Sequence, residues 1–280
     1  MKRITRLTLA AAAVAVATAG AAQAAATSSA SFGNLVITLT DLDPNDGIAP
    51  SLTFQVNGKP SISGQTRSFG DERIEHDYVD TTVGQQGALS GSLNDVLASS
   101  KATVNSVANL AGFSSMATTG AALSTADGYG LYSSSAFGES PLMNTFTLSA
   151  NTRITVTVDA AISVQTTLGY NSAIGQDEQA NASLRLLLGP FGPAGTDLNQ
   201  SLNATFAYAD DGSIIGQSAS WSGPISVSYS NLTAFDATGK FNAEVSVSGY
   251  SALAVPEPGS YAMLLAGLGL VGWRVGRRKV

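Results

Sequence analysis

The 280 residues contain no cysteine, one histidine and two tryptophans, and only 12% are charged. Without cysteine there is no disulfide framework, no thiol nucleophile and no thiolate metal site. A single histidine, His76, excludes the His-rich zinc sites, and any Ser-His-Asp triad would have to use it. No G-x-S-x-G elbow, Walker loop or dinucleotide glycine pattern occurs. No internal repeat of fixed period is present, which argues against a solenoid or propeller. Basic charge is scarce where a body would need it. Of fourteen Lys and Arg, three lie in the first six positions and four in the last seven, leaving seven against twenty acidic residues from 25 to 258. A body with a net charge near −13 is unsuited to nucleic acid or anionic lipid.

What is present begins with the ends. Lys2, Arg3 and Arg6 precede an apolar, small-residue run from Leu7 to Ala19, followed by Ala22-Gln23-Ala24. This is the charged, apolar and A-x-A succession of a secretory signal peptide. The reading places a signal helix at 1–24, cleavage after Ala24, and a mature chain starting at Ala25. Signal peptidase and the general secretion machinery are the partners it requires.

At the other end, Val255-Pro256-Glu257-Pro258 precedes thirteen apolar residues, Tyr261–Trp273, and then Arg274, Arg277, Arg278 and Lys279. Thirteen residues of helix reach about 20 Å against a hydrocarbon core of about 30 Å. The segment is therefore a short transmembrane helix that anchors weakly, with its basic end held in the cytoplasm. Pro256 and Pro258 keep the junction extended. Val255 to Lys279 resembles the PEP-CTERM sorting signal of Gram-negative bacteria. The resemblance implies an exosortase as processing partner, with Val255, Pro256, Glu257, Pro258, Arg277 and Arg278 as recognition residues. It also implies transient inner-membrane anchoring, then delivery to the cell surface or extracellular matrix, and an association with exopolysaccharide and biofilm.

Between the ends, residues 25–254 read as one β-rich exported domain. Leu35–Thr40, Leu52–Val56, Phe146–Leu148, Arg153–Ala160, Ala182–Leu188, Asn203–Ala209, Ile225–Tyr229 and Phe241–Tyr250 alternate apolar and polar residues with period two. Asp210-Asp211-Gly212 reads as a hairpin turn. Many short alternating strands predict an all-β body, an antiparallel β-sandwich or jelly roll. Ser92–Ala111 carries partly helical spacing and stays open between strands and a short helix, while Ser114–Ser140 stays open between edge strands and loops. Leu39–Phe54, Phe146–Val156 and the strands leading to Val255 resemble the bodies of other exported proteins bearing this signal. That resemblance, to proteins of unassigned function, implies one exported β-rich domain and implies no catalytic activity.

Four groups of residues merit weighing as sites. Asp41, Asp43, Asn45 and Asp46 form the densest oxygen cluster. Counted as an EF-hand, position six is Asp46 and position twelve is Leu52, which excludes that motif. What remains is a non-EF calcium loop or a turn capped by its own side chains. No cofactor is called for, and calcium is the one ion this cluster would suit. Asp71–Asp80, which holds His76, reads as an acidic loop or edge strand. Trp221, Tyr208 and Tyr229 are candidates for a sugar-stacking platform or for the core. Paired carboxylates, Asp77 with Asp159 for example, would suit glycoside hydrolysis, but nothing in the sequence selects a pair. The leading expectation is a non-catalytic exported surface or matrix protein. The alternatives are a polysaccharide-binding module and, behind it, an exported hydrolase.

Overall fold

The computed structural model describes residues 24–55, 60–70, 73–81, 88–105, 114–125, 128–137, 144–170, 175–190, 196–252 and 268. The residues before Ala24, where a signal helix is expected, lie outside the described residues, and of the expected C-terminal helix only Leu268, which is helical, is described. The strands are β1 (Ala24–Asp41), β2 (Leu52–Gln55), β3 (Ser61–Phe69), β4 (Arg73–Thr81), β5 (Ala88–Asn94), β6 (Ala98–Asn105), β7 (Ser115–Thr125) and β8 (Gly128–Phe137). They continue as β9 (Asn144–Leu148), β10 (Thr152–Thr166), β11 (Asp177–Pro190), β12 (Thr196–Ala204), β13 (Ala207–Tyr208), β14 (Ile214–Ile215), β15 (Ser218–Asn231) and β16 (Ala237–Ala252). Every pairing is antiparallel, as the alternation predicts.

Fourteen strands form one hydrogen-bonded sheet, eight of them on a continuous path and six branching from it. It folds at the β7–β8 hairpin, where only Ser124 pairs Tyr129 and Thr125 pairs Gly128. On one side of this corner run β12-β11-β16-β8-β3-β4, and on the other β15-β10-β1-β7-β6-β5. The two halves lie face to face, with β1 against β16 and β11, and β3 against β6. The core between them is read directly from the alternation. Ile154, Val156, Val158, Ile162 and Val164 of β10 point inward, opposite Leu184, Leu186 and Leu188 of β11 and Val245 and Val247 of β16.

β1 shows how a short sequence feature redirects a long strand. Its pairing with β10 slips between Gly33 and Val36, and Asn34 between them sits at φ 51°. Asn tolerates this left-handed conformation, and its Nδ2 donates to Asp159 Oδ2 at 2.8 Å. The bulge inverts the facing. Before it, Ala26, Ser28, Ala30 and Phe32 are buried; after it, Leu35, Ile37 and Leu39 pack on the core.

The described parts of the two open stretches are mostly strand, with 106–111, 126–127 and 138–140 outside the described residues. β5 and β6 occupy 88–105, and β7 and β8 are interior members of the path rather than edges. The expected strand at Asn203–Ala209 divides instead between the end of β12 and β13, which pairs β14 around Asp210-Asp211-Gly212. Gly212 there takes φ 80°, and Asp211 Oδ1 accepts the Ser213 amide at 2.9 Å.

The outward face of the β16 layer is a polar array. Ser201, Ser183, Ser246, Ser135 and Ser63 stand in one row across five strands. Ser183 and Ser246 hydroxyls are 2.7 Å apart, and those of Ser63 and Ser135 2.6 Å. The parallel row is Asn203, Asn181, Ser248, Ser133 and Gln65.

Candidate functional site

The acidic turn after β1 directs its oxygens at its own backbone. Asp41 Oδ1 accepts the Asp43 amide at 3.0 Å, Asp43 Oδ1 the Asn45 amide at 3.2 Å, and Asp46 Oδ1 the Ile48 amide at 2.7 Å. Asp46 Oδ2 also accepts Asn151 Nδ2 at 2.8 Å, which ties the turn to the β9–β10 connection. The Asn151 hydrogen bond and then the Ile48 amide hold the Asp46 carboxyl below the usual carboxylate range. A folded-state pKa below the unfolded one gives stability that is present above the unfolded pKa and lost as pH falls through the folded value. The wild-type advantage over Asp46→Asn is therefore expected at neutral pH and should shrink in acid melts. These side chains cap a turn, so exchanging calcium for a chelator should leave the melting temperature unchanged. A rise with calcium would show that the carboxylates re-aim onto the ion. Among the described residues no three His, Cys, Asp or Glu side chains gather as a metal-holding group.

From Arg73 the charged run forms β4, which among the described residues is an edge strand paired with β3 alone, while Asp71 and Glu72 lie outside them. His76 Nδ1 and Asp95 Oδ1 are 2.6 Å apart, and the Asp95 side chain is nearly buried. The contact fastens β4 to the turn joining β5 and β6, where the Asp95 amide donates to Ala98 O. Arg67 and Arg73 flank Glu75 at 2.7 and 2.8 Å in a part-exposed network. Such pairs contribute about 0–1 kcal/mol each. Asp77 stands on β4, while Asp159 stands on β10 in the other layer, bound to Asn34. The fold thus places the two carboxylates on strands that do not pair.

The three candidate aromatics separate. Trp221 pairs with Ile162 and Tyr229 with Ile154, both inward-facing residues, and both rings pack on the core. Tyr208 is 69% exposed. It stands edge-on to Phe206, centroids 5.6 Å apart, and Phe206 lies 5.8 Å from Tyr170. Tyr170 and Phe206 are absent from the candidates named from sequence. The signal for Phe206 was its spacing, two residues before Tyr208 and close to the Asp210-Asp211-Gly212 turn; Tyr170, 38 residues upstream, offered none.

Of the residues placed at the ends, Ala24 is the first of β1 and Ala22 lies outside the described residues. Val255, Pro256, Glu257, Pro258, Arg277 and Arg278 also lie outside them, beginning three residues after β16 ends at Ala252. Among the described residues no helix is long and apolar enough to cross a membrane.

The class this defines is an antiparallel all-β chain with a C-terminal tail of proline pair, apolar run and basic end. Residues 254–279 match the PEP-CTERM protein-sorting motif. The chain therefore carries a signal that marks it for export and exosortase processing. No curated protein and no solved structure matches the chain.

Proposed function

We propose that this is a non-catalytic surface or extracellular-matrix protein, a β-sandwich body exported through its signal peptide, held briefly in the inner membrane, and released or attached by an exosortase. The sorting motif, starting two residues past the last strand, carries the reading. The body supports it: a cysteine-free sandwich whose outer faces are hydroxyl-rich and whose net charge is acidic suits a hydrated polymer matrix. Deleting the exosortase of the producing bacterium should move the protein from matrix to membrane and alter the exopolysaccharide layer. A matrix pool unchanged by the deletion would overturn the reading. A flat screen on esters, peptides and glycans is expected, and turnover of any one would make the body an enzyme.

One observation favours a second reading, a polysaccharide-binding module. The Tyr170, Phe206 and Tyr208 rings form an exposed aromatic group of the kind that stacks on sugar faces. In affinity electrophoresis against the bacterium's own exopolysaccharide, Tyr208→Ala should lose retardation without a change in melting temperature. Trp221→Ala should do the reverse, lowering the melting temperature. Retardation equal in wild type and Tyr208→Ala would remove this site.

A further inference from the structure

A buried carboxylate stands beside the position where the mature chain is expected to begin. Glu178, on β11, is fully buried. Its Oε2 accepts the backbone amides of Thr167, Leu168 and Gly169 at 2.8, 3.0 and 3.1 Å. Its Oε1 accepts the Thr167 hydroxyl at 3.3 Å. Among the described residues no Lys, Arg or His lies at ion-pairing distance from it. These four donors give both carboxylate oxygens hydrogen-bond partners but bring no positive charge, and a buried charge without a counter-charge is costly.

The Thr167 hydroxyl that donates to Glu178 also accepts the Ala25 amide at 2.8 Å. The Thr167 amide meets the Ala25 carbonyl at 3.0 Å, closing β1 onto the end of β10. Cleavage after Ala24 converts this Ala25 nitrogen from an amide with one N–H into an α-ammonium with three. The nitrogen already sits one hydroxyl away from the buried carboxylate.

We propose that the Glu178 cradle is a binding site for the chain's own new N-terminal ammonium, so that signal-peptide removal completes the charge balance of the fold. Peptide-bond hydrolysis supplies the group: water adds across the Ala24–Ala25 bond, the carboxylate leaves with the signal peptide, and the amine takes up a proton. The cationic end then donates to Thr167 Oγ1 and faces Glu178 through it, a charge-assisted link absent from the precursor. β1 lies between β7 and β10 at the centre of its layer. Fixing its first residue therefore fixes the end of a central strand, where fraying would otherwise start.

The proposal rests on the export reading, and one preparation separates the two. The chain is purified after export, its N-terminus is sequenced, and half is acetylated selectively at the α-amine. With Ala25 as first residue, the free-amine form should melt higher than the acetylated form by about 2–4 °C. Thr167→Val, which removes the relaying hydroxyl while leaving the backbone intact, should shrink that gap. Equal melting of free and acetylated chains that begin at Ala25 would overturn the proposal while leaving export intact. An exported chain that begins elsewhere would overturn it too, and an uncleaved chain would overturn the export reading itself.

Discussion

Phe146→Ala is expected to destabilise the body by about 3–5 kcal/mol, the range for emptying a buried Phe site. At about 2–4 °C per kcal/mol for a body of this size, the melting temperature should fall by roughly 6–20 °C. Phe146 is fully buried on β9, and its ring neighbours Phe54 and Tyr229 at 6.1 Å each. It also faces Gly239, its direct cross-strand partner on β16. A Cβ added at Gly239 would stand 2.2 Å from Phe146 Cζ, so the glycine is the floor on which the ring lies. Gly239→Ala alone should therefore overpack the site and cost about 1–3 kcal/mol. In the double variant the added methyl enters the space the ring has left, so the two costs should sum to less than their separate values. Urea unfolding of the four proteins measures this. Additive costs would mean that the ring does not rest on Gly239.

Replacing Pro256-Glu257-Pro258 with three alanines is expected to abolish processing while leaving the body folded. The substitution removes the two prolines expected from the sequence to keep the junction extended, and alanine would favour helix there. It also removes the carboxylate between the prolines. The full-length chain should accumulate in the membrane fraction, and the matrix pool should fall to background. Because β16 ends at Ala252, circular dichroism and melting of the body should match wild type. Normal release of the variant would mean that the proline pair is not what the processing enzyme reads.

How far the fold was legible depended on side-chain size. β10 alternates Ile154, Val156 and Val158 with Thr155 and Thr157, a contrast large enough to read from sequence, and its register with β1 and β15 follows that pattern. The first half of β1 buries Ala26, Ser28 and Ala30 against outward Thr27, Ser29 and Ser31. Small residues on both faces erase the contrast, so only the part of β1 after the bulge stood out. The helical spacing near Leu93, Val96 and Leu97 arose because the chain turns there. Val96 is 80% exposed at the tip, and Leu97 is buried with its carbonyl accepting the Leu123 amide. Parity alone would have placed Tyr229 in the core, since it shares a face with Ile225 and Val227. The Glu178 cradle was not legible, because its partners come from residues 167–169 and its link to Ala25 spans 142 positions. The sorting motif was legible, because its signature lies in local order and composition.

The most direct measurement is the intact mass of the protein recovered separately from membranes and from medium or matrix. The account predicts a medium or matrix species running from Ala25 to a new C-terminus near Pro258, with any added mass marking covalent attachment. A membrane-only species that still ends at Val280 would contradict it and make the tail a permanent anchor.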